Sequence, residues 1–133
     1  MDILVVDDEK AIASLFQQRF KNEIKDKLYR FHYVQSSEAA LEYLADSEAH
    51  PVILVLSDIE MEGMNGLELL KHVKRLYPNI PVFIVTAYDD EYNLQKALSY
   101  GADDFITKPI DFDHLEKKIE GFFRFSQPRT ENA

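Results

Sequence analysis

The stretch Val52-Ile53-Leu54-Val55-Leu56-Ser57-Asp58 runs through five apolar residues without alternation, then a hydroxyl, then a lone acid. A run that short, β-branched and continuous reads as a strand with both faces covered by helices, as in a parallel sheet. Two runs of the same kind flank it in the chain, Ile3–Val6 before and Val82–Val85 after. A weaker run, Phe105–Ile106, precedes Thr107-Lys108-Pro109, and Tyr29–Gln35 alternates better and predicts a less buried strand. Between the runs the apolar period turns helical. The stripes are Ile12, Leu15, Phe16, Phe20, Ile24; Ala40, Leu41, Leu44; Leu70, Val73, Leu76, Tyr77; Leu94, Ala97, Leu98; and Phe112, Leu115, Ile119, Phe122, Phe123. Ser36 or Ser37, Asn65 and Asp111 are placed to cap helix starts, Gly101 to close a helix, and Pro78 and Pro81 to bracket a turn.

Strand and helix therefore alternate five times, which predicts an α/β fold: a doubly wound (βα)5 three-layer sandwich with a five-stranded parallel sheet. In such a sheet any ligand crevice lies at the carboxyl ends of the strands. One domain accounts for 133 residues of which 46% are hydrophobic. Residues 126–133 read as a tail or the start of a linker, because Pro128 ends the last helix and nothing apolar follows.

Composition narrows the function. With 24 acidic against 15 basic side chains the formal charge is −9, a poor match for nucleic acid or an anionic membrane. The absence of Cys removes thiol catalysis and Cys-ligated metals. No apolar run approaches the roughly 20 residues of a membrane span, and no basic segment precedes Ile3 as in a signal peptide. A soluble, cytoplasmic domain is the expectation.

The residues that follow the strands carry the chemistry. Asp7, Asp8 and Glu9 follow the first, Asp58 the third, Thr86 and Ala87 the fourth, Lys108 and Pro109 the fifth. Two carboxylates about 4 Å apart repel by about 4 kcal/mol at an effective dielectric near 20. Lys108 supplies one positive charge for the three negative ones of Asp7, Asp8 and Asp58, so a divalent cation is the natural remainder, and an all-oxygen site suits Mg²⁺. The four His residues are scattered and none follows a core strand. A hydroxyl (Thr86) and an ammonium (Lys108) facing such a centre suit a transferring phosphoryl group. Asp58, alone at its strand end, is then the candidate nucleophile for an aspartyl phosphate.

These five pieces, in this order, resemble the receiver domain of two-component response regulators, and the stretch Asp58–Gly66 (DIEMEGMNG) resembles that family's loop after the phosphoacceptor. The likeness covers nearly the whole chain, sets the expected domain at residues 1–125 and implies a flavodoxin-like sheet in the order 2-1-3-4-5. It implies that Asp58 accepts a phosphoryl group from a histidine kinase or a histidine phosphotransfer domain. It implies Mg²⁺ held by Asp8, Asp58 and the backbone carbonyl of Glu60, with Asp7 acting through water, and phosphoryl oxygens contacted by Thr86 and Lys108. It further implies that Thr86 moves inward, that Phe105 is the switch aromatic, that the face of fourth helix, fifth strand and fifth helix is remodelled, and that the Lys108–Pro109 bond is cis. Such a domain catalyses only its own phosphorylation and dephosphorylation. Its expected partners are the kinase or phosphotransfer domain, a downstream protein or covalently linked output domain, and a second copy in a phosphorylation-dependent dimer.

Glu62 stands where that family commonly has Pro, and Glu60 and Tyr88 hold positions that tune water access to the aspartyl phosphate. A Mg²⁺-dependent phosphatase is the alternative, but haloacid-dehalogenase-like phosphatases carry DxDxT after the first strand, and this chain has Asp7-Asp8-Glu9-Lys10-Ala11. A flavodoxin-like flavin site would need a hydroxyl-rich phosphate loop where two Asp stand. A receiver excised from a larger regulator is a further alternative. Phe122, Phe123 and Phe125 either finish the core or begin a linker or dimer contact.

Overall fold

Helices cover both faces of a parallel sheet in the computed structural model, which describes residues 1–46, 51–61, 65–87 and 89–126. The strands are β1 (Asp2–Val6), β2 (Arg30–Val34), β3 (Leu54–Asp58), β4 (Val82–Ala87) and β5 (Asp104–Lys108). They pair in the order β2-β1-β3-β4-β5, all parallel. The helices are α1 (Ala11–Arg19), α2 (Lys21–Lys25), α3 (Ser37–Ala45), α4 (Gly66–Leu76), α5 (Glu91–Ser99) and α6 (Phe112–Ser126).

The continuous apolar strands are explained by two cores. Leu4, Val6, Val55, Val82 and Ile84 pack with Ala40, Leu44, Leu70, Val73 and Ala97 on the side of α3, α4 and α5. Ile3, Val5, Leu54, Leu56, Phe83, Val85 and Ile106 pack with Phe16, Phe20, Leu115 and Ile119 on the side of α1 and α6. Successive strand residues point to opposite faces, so a strand that feeds both cores cannot alternate in polarity.

Several boundaries differ from the sequence reading. The third strand begins at Leu54 rather than Val52, although the Ile53 N–H still donates to the Asp2 carbonyl. The first helical stripe is two helices, not one, because Phe20 leaves helical geometry (φ −103°, ψ 24°) to bury its ring. Lys27 then takes a positive φ of 62° to turn the chain into β2. Leu15, Leu76 and Leu98 are exposed, each lying at the margin of a stripe too narrow to bury it. β5 begins at Asp104, one residue before the apolar run Phe105–Ile106.

Capping follows the chemistry. Ser36 rather than Ser37 caps α3, accepting from the Ala39 N–H at 3.0 Å. Asn65 caps α4 at 3.0 Å, Asp90 caps α5 at 3.2 Å, and Asp111 accepts from the His114 N–H at 3.1 Å. Gly101 closes α5 with φ +100°, a conformation that favours glycine. At the end of α6 the Phe122 ring packs edge-on against Phe83 at 5.5 Å, and Phe123 packs on the same core. For these two the core reading holds; the Phe125 side chain lies outside the described residues.

Candidate phosphoryl-transfer site

Strand parity assembles the site. Asp58 and Lys108 continue the face of Leu56 and Ile106, while Thr86 continues that of Ile84. All three are still within their strands. Their backbones are therefore fixed by ladder hydrogen bonds rather than by loops, which places their side chains more precisely than a loop would.

Asp58 is 2% exposed and its carboxylate is fully engaged. One oxygen accepts from the Glu60 N–H at 3.0 Å and the other from Lys108 Nζ at 2.7 Å. Lys108 gives up solvent to make this contact. Burial works against its ammonium, but the hydrogen bond to Asp58 and the charges of Asp58, Asp7 and Glu9 outweigh it, and its pKa is raised. The Lys108–Pro109 peptide is cis.

Asp7 is also buried, and its carboxylate accepts from the Glu9 N–H at 2.9 Å. It therefore does not cap α1, which starts with no side-chain cap. Burial pushes its carboxyl up from the usual range; the Glu9 N–H opposes this, the charge of Asp58 adds to it and Lys108 opposes it. Asp8 is exposed at the rim. One oxygen from each of Asp7, Asp8 and Asp58 lies within 4.8 Å of the others. Among the described residues no other group of three or more His, Asp or Glu is arranged to hold a metal. Three carboxylates with a single lysine, all-oxygen donors and an open rim fit a hard divalent cation that keeps part of its water. A cleft of about 390 Å³ opens beside Asp8, lined by Ile59, Glu60, Met61, Asn65, Leu67 and Asn93.

Thr86 is 1% exposed, and among the described residues its hydroxyl makes only a long 3.5 Å bond to the Ala87 carbonyl. That leaves a buried donor with a weak partner next to the carboxylate end of the sheet. Phe105 is half-buried against the α5-side core and is a diagonal neighbour of Thr86, since Ile84 pairs with Phe105 and Thr86 with Thr107. Glu62 and Tyr88 lie outside the described residues.

A residue that the sequence reading passes over is Gly66. A Cβ there would sit 2.2 Å from the Asp58 carbonyl oxygen and 2.6 Å from Ile59 Cα. The Gly66 N–H donates to the Ile59 carbonyl at 2.8 Å, so α4 starts directly against the backbone of the Asp58 strand end. The signal was the pair Asn65-Gly66, a cap followed by the one residue that permits such an approach.

Comparisons with known proteins place the family and the fold. Residues 3–120 match the model of the response regulator receiver domain. The chain is 37% identical over 120 residues to the transcriptional regulatory protein ZraR of Escherichia coli K12, covering 90% of this chain and 26% of that one. It thus spans about a quarter of the length of such relatives. The receiver domain of NtrX from Brucella abortus superposes with a TM-score of 0.74 at 31% identity, covering 90% of this chain and 96% of that one. For the Francisella response regulator 1452 receiver domain the values are 0.79, 25%, 95% and 98%. With the fold, the strand-end acids and the matched span in agreement, this chain belongs to the response regulator receiver domain family.

Proposed function

We propose that Asp58 is the phosphoacceptor of a two-component switch, loaded by a histidine kinase or a histidine phosphotransfer domain. The observation that carries this reading is the Lys108–Asp58 pair beside two further carboxylates, at the strand ends of a receiver fold. A carboxylate oxygen of Asp58 attacks phosphorus, the new O–P bond forms as the P–N bond to the donor imidazole breaks, and that nitrogen keeps the electron pair. Lys108 holds the carboxylate in place and then turns its ammonium to the phosphoryl oxygens, where charge gathers. Thr86, with so little invested in its present bond, donates its hydroxyl to another of those oxygens.

Asp7, Asp8, Asp58 and the Glu60 carbonyl would hold Mg²⁺, which supplies positive charge to the phosphoryl oxygens. The burial of Asp58 keeps the acyl phosphate from bulk water, and hydrolysis returns the carboxylate, so the domain acts only on itself. The alternative of a phosphatase with a separate substrate finds no support, since the nucleophile candidate ends β3 and not β1. The receiver reading extends to residues 1–125, with 126–133 as tail or linker, and to a cytoplasmic setting. Relatives named as transcriptional regulatory proteins favour an output in transcription control, through a linked domain or a downstream protein.

The test is intact mass after incubation with acetyl phosphate, with and without Mg²⁺, on wild type and Asp58→Asn. The expected result is one added phosphoryl group that requires both Mg²⁺ and Asp58. No adduct on a wild-type preparation that binds Mg²⁺ would overturn the proposal.

A further inference from the structure

Phe105 is held from outside its own strand. β5 is an edge strand, so part of its backbone lacks a ladder partner. Lys118 of α6 fills that gap: its Nζ donates to the Phe105 carbonyl at 2.8 Å and to Asp104 Oδ1 at 2.8 Å. The same Asp104 oxygen accepts from the Phe105 N–H at 2.8 Å. The ammonium also lies 4.6 Å from the centre of the Phe105 ring. Because α6 packs on the Ile106 face while the Phe105 ring packs with the opposite core, Lys118 must reach around the free edge of β5. One cation thus touches the ring, the carbonyl and the preceding carboxylate of a single position.

From this geometry we infer that Lys118 is a positioning residue that latches the Phe105 ring in its unphosphorylated place and so sets how far the switch leans toward its active state. The inference rests on the proposed switch function. A contact shifts a two-state equilibrium only if it differs between the states. The two oxygen contacts belong to the backbone and to Asp104, and they stay when the ring turns toward Thr86. The ring contact is lost in that turn. A partly exposed cation–ring contact biases the equilibrium by about two- to fivefold. The latch is therefore weak enough for phosphorylation to overcome and strong enough to measure.

The test places 4-fluorophenylalanine at position 105 alone and follows its ¹⁹F resonance between the free and phosphorylated limits. Lys118→Met keeps the aliphatic stem and removes the cation. In the unphosphorylated protein it is expected to move the population toward the phosphorylated limit by about two- to fivefold. Lys118→Arg restores the wild-type position, and Asp104→Asn, which loosens the ammonium without touching α6, moves the population the same way as Lys118→Met. If wild type takes up the phosphoryl group and the resonance moves, but Lys118→Met matches wild type before phosphorylation, the latch alone is overturned. If wild type is phosphorylated and the resonance stays still, the switch role of Phe105 falls together with the latch. Absence of any phosphoryl uptake by wild type overturns the site reading and the latch with it.

Discussion

Two single residues decide local outcomes that their neighbours cannot compensate. Gly66 lets α4 begin against the Asp58 backbone, and a methyl group there would meet a carbonyl oxygen at 2.2 Å, which belongs to the strand and cannot swing away. Gly66→Ala is expected to cost about 1–3 kcal/mol, as overpacking does, read as a lower urea midpoint, and to slow phosphoryl uptake because Asp58 shifts with its strand end. Tyr33 shows the opposite situation. Its hydroxyl is buried with no hydrogen-bond partner among the described residues, while its ring packs against those of Phe16 and Phe31. An unsatisfied buried hydroxyl costs about 1–3 kcal/mol. Tyr33→Phe is therefore expected to raise the urea midpoint, and an unchanged or lower midpoint would mean that the hydroxyl is solvated in solution.

Elements are tied to one another by a few charged side chains placed at their ends. Asp103, just before β5, accepts from Lys74 Nζ at 2.6 Å and from the Val82 N–H at 2.8 Å with the same oxygen. Lys74 also donates to the Ile80 carbonyl at 3.2 Å, so α4, the following turn and the start of β4 meet at one carboxylate. On the other face Arg19 joins α1 to Asp113 and to Glu116, the latter at 3.0 Å, on α6. The two ties differ in worth. Arg19 pairs with the strongly exposed Asp113, and such pairs contribute about 0–1 kcal/mol. Asp103 satisfies a backbone N–H at a strand start, and its loss leaves that donor without a partner. Thermal or urea melts should show Asp103→Ala costing about 1–3 kcal/mol and Arg19→Ala less than about 1 kcal/mol. Equal losses would contradict this ranking.

At the scale of the molecule, the acidic end of the sheet and the aromatic cluster beside α1 set how solution conditions act. Asp7, Asp8 and Asp58 share one small volume, so a divalent cation that binds only the folded chain stabilises it by mass action. At a Mg²⁺ concentration ten times the dissociation constant the gain is about 1.4 kcal/mol, seen as a rise in Tm that EDTA reverses and that Asp8→Asn reduces. Alkali acts on Tyr29 and Tyr33. Burial is the leading cause that pushes both phenols up to about 12 from the ordinary tyrosine value of 10.0, with Glu116, Glu120 and Glu23 adding to it at Tyr29. The unfolded chain ionises first as pH rises. The contribution of each neutral phenol is thus complete below pH 10 and falls between 10 and about 12, by about 1.4 kcal/mol per pH unit for each group. Absorbance of the phenolate should show Tyr29 and Tyr33 titrating late, and chemical denaturation should lose free energy over the same range. A flat stability curve across that window would contradict the burial of both phenols.

What the amino-acid sequence determined was the order of elements, the sheet and the identity of the residues at its carboxyl end. Val52–Leu56 and its companions are apolar on both faces, and only a sheet covered on both sides buries such a pattern. Asp7, Asp8, Asp58, Thr86 and Lys108 then follow as strand-end residues by counting along the chain. What only the tertiary structure decided was the break at Phe20, the exposure of Leu15, Leu76 and Leu98, the approach at Gly66 and the reach of Lys118 to Phe105. Each of these depends on how far one packed element sits from another. Periodicity names the face a residue lies on, but a distance between faces exists only once the elements have packed.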